Sequence, residues 1–273
     1  MLERVIVFDV WGDYAHFRKN YSTSSPLTYS FPPRTALSGM LGAIAGLDKE
    51  EYFRHFSKDQ ASIGCRILQP VKKVRIGENL IDTKSASGMH LIKNRTQIRF
   101  EMVKDPRYRI YFSHTDGPLY ERIKELLMSH QSVYTPCLGL SELVCNFEYR
   151  GEFRLKNSGE DFQEIKSVIP GRNLLEPPDF EEGKEYFSEV MPGEMGERRE
   201  VTEYNEILFE RNGKSIKAKA KELWEVHNEG NGEDGLNGER VAFLGEDLRH
   251  AFRREIQRDQ RRADIGDFAI AGD

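Results

Sequence analysis

The chain has 273 residues, a length that allows one large domain or two small ones. Hydrophobic residues make up 38% of the chain and aromatic residues 11%, which excludes wholesale disorder, although the mean hydropathy is -0.63 and the net charge is -5. Neither an apolar run of ~18–20 residues nor a signal peptide is present, and three cysteines without a CxxC pair exclude a disulfide framework, so we expect a protein of the reducing cytoplasm that contacts no membrane.

The first predicted element is a strand in ERVIVFDVWG, which is apolar and rich in β-branched residues. Residues 13–33 have the Ser, Thr and Pro content of an ordered loop, and Pro33 precedes a helix in TALSGMLGAIAGL that ends near Gly46. Small residues recur on one face of that helix, which indicates close packing. A short amphipathic helix in DKEEYFRHF and strands at 62–68 and 71–76 are predicted next.

Residues 89–113 are predicted to be extended, with interruptions at an asparagine and at a DP dipeptide. After a GP dipeptide, LYERIKELLMSH has the apolar face of a helix, and strand patterns return at 143–153 and 162–169. Strands and helices do not alternate regularly. The predicted class is therefore α+β, built on β-α-β-β-α-β units.

Charge is divided unevenly along the chain. Residues 1–114 contain 18 Lys and Arg against 11 Asp and Glu, a balance of +7, and the remaining residues contain 22 against 34, a balance of -12. The positive excess lies mainly between Arg66 and Arg109, where cations alternate with aromatic and β-forming residues, as on a strand surface that contacts RNA. A solvated surface is the alternative. The acidic segment 176–206 either faces a basic partner subunit or is a solvated loop.

Motifs for catalysis and cofactor binding are weak. GNGEDG, at 230–235, matches GxGxxG, but acidic residues occupy the place that a pyrophosphate would approach, so we interpret it as a loop. The seven histidines have no metal-ligand spacing, and we expect neither a cofactor nor a metal. His90, near Lys84 and Lys93, has the groups that metal-free ribonuclease chemistry needs; an ordinary turn or strand residue is the alternative.

Three blocks of sequence carry a resemblance to a known family. FDVWGDYAHFRKNYSTSSPLTYSFPPRTALSGMLGAIAGL, a basic region ending in DPRYRIYF, and YTPCLGLSEL occur in an order that resembles the Cas-five family of CRISPR-associated proteins, most closely its type I-B branch. The resemblance covers about residues 1–150, and ERVAFL is similar to the closing strand of the family.

The resemblance implies a ferredoxin-like, RRM-like RAMP fold of the α+β class. Residues 1–150 would form the RRM-like domain, with an inserted β-hairpin thumb at about 72–113. A smaller, degenerate β-rich part would follow at 151–245, and a basic helical tail at 246–273.

The resemblance also implies a function in antiviral defence. It implies a non-catalytic RNA-binding subunit of a type I Cascade surveillance complex, a ribonucleoprotein complex in which it caps the 5′ handle of the CRISPR RNA (crRNA). Its partners would be the crRNA 5′ handle, the Cas-seven backbone subunit, the Cas-eight large subunit and, through the complex, target DNA. The chain lacks the RNP1 run of a standard RRM, so base stacking on the sheet is not assumed.

The RNA-binding residues implied by the resemblance and the basic segment offer phosphate contacts, donors at a helix start and aromatic platforms. They are Phe17, Arg18, Arg34, Thr35, Ser38, Lys72, Lys73, Arg75, Lys93, Arg95, Arg107, Arg109, Tyr134 and Gly139.

Two alternatives from other classes stay open. One is a metal-independent endoribonuclease that processes precursor crRNA, as in the type I-C branch, whose tyrosine, lysine and histidine we do not identify here. The type I-B resemblance implies instead that a separate Cas-six enzyme makes the cut. The other alternative is a general single-strand RNA binder unconnected with CRISPR.

Overall fold

The apolar run near the start of the chain forms β1 (Arg4–Trp11), the strand around which the main sheet is built. The computed structural model describes residues 4–22, 25–81, 95–228 and 234–244. Successive residues of a strand face opposite sides. Accordingly, Ile6 and Phe8 lie in the larger hydrophobic core, whereas Val5 and Val7 lie in a second core on the other face of the sheet.

The other elements of the described residues are mostly strands. The helices are α1 (Arg34–Ala45), α2 (Tyr52–His55) and α3 (Gly117–Met128). The further strands are β2 (Tyr14–Ala15), β3 (Ala61–Ile67), β4 (Lys72–Ile81), β5 (Arg95–Lys104), β6 (Arg107–His114), β7 (Asn146–Asn157), β8 (Phe162–Ile165), β9 (Ile169–Pro170), β10 (Tyr186–Met195), β11 (Val201–Glu210), β12 (Ile216–Lys219), β13 (Leu223–His227) and β14 (Arg240–Ala242). The predicted mixture of strands and helices is confirmed. None of these helices is long and apolar enough to cross a lipid bilayer.

Six strands form the main sheet, in the order β14-β13-β7-β1-β6-β3, and all neighbouring pairs are antiparallel. Along the chain, four of these strands and the two long helices occur in the order β1-α1-β3-β6-α3-β7, with β2, α2, β4 and β5 between them. The sheet then continues beyond β7 into β13 and β14. Since β7 also spans residue 150, where we predicted a domain boundary, the C-terminal part is built onto the main sheet.

The small residues of α1 are covered by side chains from neighbouring segments. Tyr52 lies over Gly42, where an added Cβ atom would be 2.9 Å from the Cβ atom of Tyr52. Gly46 ends the helix with a φ of +76°, a conformation that glycine adopts without strain, and Val133 lies against it. The predicted helix and its end are confirmed, and packing explains its face of small residues.

The second long helix, α3, begins at a side-chain cap. The carboxylate of Asp116 accepts a hydrogen bond from the backbone N–H of Leu119 at 3.2 Å, and Pro118 occupies the first turn, where no N–H is needed. Ile123 and Leu127 are buried in the larger core, and α3 packs beside α1. Both helices therefore lie on one face of the main sheet.

A long hairpin of β4 and β5 stands apart from the main sheet. The strands pair from Lys72 opposite Lys104 to Ile81 opposite Arg95, and β2 adds a third strand at the base. Asp105, with a φ of +50°, then turns the chain back into β6 of the main sheet. The predicted hairpin, at about 72–113, is too long. The chain leaves the hairpin at the DP dipeptide, and the residues that follow belong to β6 of the main sheet.

The acidic segment forms two paired strands, β10 and β11, where the sequence indicated a loop or a surface for a basic partner. Pairing runs from Tyr186 opposite Glu210 to Met195 opposite Val201, with an irregular register after Pro192 that accommodates the missing N–H. Through buried apolar residues such as Phe209, one face of this acidic hairpin packs onto the larger core.

Candidate nucleic-acid interface

The β4–β5 hairpin has two unlike faces, because directly opposite residues of an antiparallel pair point to the same side. One side carries the apolar residues Val74, Ile76, Ile98, Phe100 and Met102. Met102 is buried near the base, and the other four are partly buried. Most of the cationic residues of the hairpin lie on the opposite side.

That opposite side carries Arg75, Arg95 and Arg99, which we call the arginine face, together with Asn79 and Gln97. All five side chains belong to exposed residues. Within the described residues, no ion pair involves any of the three arginines, so no described carboxylate offsets their charge. Exposed guanidinium groups interleaved with amides suit a phosphate backbone, which they bind by charge and by paired hydrogen bonds.

Lys73 shares this side of the hairpin but is engaged at its base. Its Nζ donates to the carbonyl of Thr28 at 2.9 Å and lies 3.4 Å from the carboxylate of Glu189, on the acidic hairpin. Glu101, opposite Arg75, is 3.8 Å from the same Nζ and also accepts from the N–H of Thr28 at 3.3 Å. The positive charge of Lys73 is thus largely balanced.

Lys72 lies at the base of the hairpin on the apolar side, directly opposite Lys104. Both residues are exposed, and neither makes an ion pair with another described residue. Like charges placed directly opposite each other destabilise a strand pair. A bound anion would relieve this repulsion, so Lys72 stays a candidate contact.

The start of α1 corrects two predicted contacts, Arg34 and Ser38. Arg34 is 3% exposed, and its guanidinium donates to the carbonyls of Phe56 and Ala61, each at 2.9 Å. Burial lowers the pKa of Arg34 to about 10. Ser38 is buried and donates to the carbonyl of Arg34, while Thr35 is only partly buried. Arg34 and Ser38 therefore hold the fold together and offer nothing at the surface.

The loop before α1 and the block after α3 meet at Gly139. Its φ is +102°, and an added Cβ atom would be 2.0 Å from the carbonyl oxygen of His16. Phe17 is buried in the larger core, whereas Arg18 and Tyr134 are exposed. Of these predicted residues, Arg18 and Tyr134 are accessible to a ligand. Residue 139 must be glycine because the backbone of His16 leaves no room for a side chain.

Arg107 and Arg109 lie on β6 in the main sheet, which corrects their predicted place on the hairpin. Arg109 donates from Nε to Oδ1 of the buried Asp9 at 2.7 Å, and Arg107 lies 3.6 Å from the same carboxylate. Burial alone lowers the pKa of Arg109, but the hydrogen bond and charge of Asp9 raise it overall. This group is separate from the arginine face.

The structure therefore brings together Arg75 and Arg95 from the predicted set, and adds Arg99. Lys93 lies outside the described residues. The alternation of Arg95 and Arg99 with Ile98 and Phe100 is the signal that identifies the arginine face. The carboxylates that engage Lys73, Arg107 and Arg109 come from distant parts of the chain, and no local pattern indicates them.

The described residues contain no cluster of three or more His, Cys, Asp or Glu side chains that could hold a metal ion. His114 uses both ring nitrogens, donating to the carbonyl of His55 at 2.7 Å and accepting from the N–H of Asp116 at 2.9 Å. His90, the candidate for ribonuclease chemistry, lies outside the described residues.

Comparison with known proteins gives one family match. A family model described as CRISPR-associated protein (Cas_Cas5) matches residues 5–166, which is more than half of the chain. No curated protein sequence matches.

The chain also matches solved structures of low sequence identity. A CRISPR protein from Archaeoglobus fulgidus is 14% identical with a TM-score of 0.48, over 87% of this chain and 98% of that one. A chain of a CRISPR RNA-guided surveillance complex is 13% identical with a TM-score of 0.40, over 76% and 90% of the two chains. A chain of the Type III-B Cmr-beta complex bound to cognate target RNA is 10% identical with a TM-score of 0.40, over 78% and 86%.

Proposed function

Because this chain belongs to the CRISPR-associated Cas-five family, we propose that it is a non-catalytic, crRNA-binding subunit of a type I Cascade complex, of the I-B branch. In this proposal it caps the 5′ handle of the crRNA. The single observation that carries the proposal is the arginine face, a set of three exposed arginines without carboxylate partners in the described chain.

The fold supports an assignment of parts. We infer that the β1-α1-β3-β6-α3-β7 succession is the RRM-like, ferredoxin-like unit of a RAMP protein, and that the β4–β5 hairpin is its thumb. A hairpin that leaves the main sheet and carries unpaired cations is suited to reach along an extended RNA strand. Arg18, exposed in the loop before α1, and Tyr134, exposed beside the end of α1, would complete the contact with the handle.

The partners follow from the same proposal. The subunit would lie between the handle and the neighbouring Cas-seven backbone subunit in the cytoplasm, contact the Cas-eight large subunit, and meet target DNA only through the assembled complex. Glu189 of the acidic hairpin already contacts Lys19 and Lys73 of this chain, so this carboxylate is not available to a basic subunit.

The proposal is tested with purified protein and RNA in EDTA. Fluorescence anisotropy would compare an RNA that carries the repeat-derived 5′ handle with one whose handle is shuffled, and a denaturing gel would follow the same samples. We expect tighter binding of the native handle and intact RNA. Specific cleavage would establish the endoribonuclease instead, and equal affinity for both RNAs would establish a general single-strand binder.

A further inference from the structure

A row of ionic residues crosses the main sheet on the face opposite the larger core. Strand register places Glu148 of β7 opposite Asp9 of β1, Asp9 opposite Arg109 of β6, and Arg109 opposite Arg66 of β3. The next residues on the same face are Trp11 and Arg107, which are also directly opposite each other.

Two buried carboxylates organise this row. Asp9 is 1% exposed and accepts hydrogen bonds from Arg109 and, at 3.0 Å, from Nε of Arg150. Glu239 is 2% exposed; it pairs with Arg66 and lies 3.3 Å from Nζ of Lys166. Each carboxylate is therefore held by at least two cations, which fixes the arginines in place.

The cations outnumber the carboxylates in this group. Apart from the pair of Arg150 and Glu148, it contains the four cations Arg66, Arg107, Arg109 and Lys166 against the two carboxylates Asp9 and Glu239. Among the described residues, two positive charges are left over. In a partly water-excluded site such an excess attracts an anion more strongly than the same charges do in open solvent.

The edge of the group is open to solvent. The Arg107 side chain is 36% exposed, and its guanidinium lies over the indole of Trp11 at 5.1 Å from the ring centroid. Trp11 is itself partly exposed, and the Lys166 side chain is 39% exposed. A flat guanidinium-on-indole surface beside excess positive charge offers a phosphate contact and a stacking platform together.

We propose that this patch, centred on Trp11 and Arg107, is a second contact surface for single-stranded RNA, separate from the arginine face. Its ligand is a phosphodiester segment, with one phosphate at Arg107, another at Lys166 and a base against the Trp11 indole. The inference rests on the proposed function for the identity of the polymer. It adds that the RNA continues across the main sheet after leaving the hairpin.

The first test uses the unaltered full chain. Photo-crosslinking to a 4-thiouridine RNA, trypsin digestion and mass spectrometry would locate the contact in the peptide between Arg4 and Arg18, which contains Trp11. We expect fragment ions that place the crosslink on Trp11. Crosslinks on the hairpin without any on Trp11 would overturn the inference while leaving the proposed function intact.

The second test measures how strongly the affinity for RNA depends on salt concentration. For Arg107→Gln, we expect the slope of log affinity against log salt concentration to fall by about 0.7, the effect of one lost phosphate contact with a single strand. Arg122→Gln, at an exposed site on α3, is the matched control and should not change the slope. An unchanged slope for Arg107→Gln in a folded protein would contradict the inference.

A variant of the arginine face separates the two hypotheses. With Arg75, Arg95 and Arg99 changed to Gln, the Trp11 crosslink should persist at higher RNA concentration if the patch binds on its own. If neither the wild-type chain nor this variant gives a crosslink to RNA anywhere, the proposed function fails together with the inference.

Discussion

Glu189 accepts two hydrogen bonds from Ser30, one from the backbone N–H at 3.0 Å and one from the hydroxyl at 3.1 Å. The same carboxylate lies 3.2 Å from Nζ of Lys19 and 3.4 Å from Nζ of Lys73. Residues far apart in the sequence thus join the acidic hairpin to the loop before α1 and to the base of the β4–β5 hairpin. The negative C-terminal half balances cations of its own chain.

Replacing this carboxylate should destabilise the fold. For Glu189→Gln we expect a loss of about 1–3 kcal/mol in the free energy of unfolding, because charge-assisted hydrogen bonds are lost and the mostly buried Lys19 loses its counter-ion. Urea denaturation followed by circular dichroism measures the loss. Glu182→Gln, at an exposed site of the same segment, is the control. Equal midpoints for the two variants would show that the Glu189 contacts contribute nothing.

Gly139→Ala should destabilise the fold, although it adds only one methyl group. The added Cβ atom would meet the carbonyl oxygen of His16 at 2.0 Å, and the φ of +102° is strained for any L side chain. We therefore expect a loss of about 3 kcal/mol in the free energy of unfolding. Gly117→Ala, where nothing lies within 4 Å, is the matched control and should change stability by less than ~1 kcal/mol. Thermal melts compare the two, and similar melting temperatures would refute the backbone explanation.

The fold should become less stable as the pH is lowered, in part because of His114. Burial lowers the pKa of this imidazole below its usual value, although its hydrogen bonds with the carbonyl of His55 and the N–H of Asp116 oppose part of that shift. The unfolded chain, with a histidine pKa near ~6.5, binds the proton first as pH falls, so the contribution is full above that value and declines below it.

The measurement compares urea denaturation at pH 7.5 and pH 5.0 in the wild type and in His114→Gln. We expect the wild type to lose more stability between the two pH values than the variant does, because only the wild type has this imidazole to titrate. An equal loss would show that other groups account for the pH dependence.

Local sequence was sufficient to predict those elements whose structure depends mainly on their own residues. The strand around Phe8, the helix that ends at Gly46 and the turn at Asp105 all follow from apolar patterning and from residues that terminate elements. The acidic hairpin was missed because Pro192 and Gly193 indicate a break, whereas the structure accommodates them in an irregular register.

The site was harder to predict, because burial and pairing depend on distant residues. Arg34 stands in a sequence typical of an anion-binding helix start, yet its guanidinium turns inward to the carbonyls of Phe56 and Ala61. Arg109 belongs to the basic segment, but its partner Asp9 is 100 residues away. Counting charges along the chain identified the cationic region. It did not show which cations of that region are paired within the described chain.

The most direct test of the proposed function is crRNA retention by the assembled complex. The complex would be purified with the wild-type subunit, with Arg75, Arg95 and Arg99 changed to Gln, or with the control Arg122→Gln, and the ratio of crRNA to protein measured after a wash at rising salt concentration. We expect the triple variant to assemble but to lose its crRNA at lower salt, because up to three phosphate contacts are missing. Equal crRNA content at every salt concentration in all three complexes would contradict the proposal that the arginine face holds the RNA.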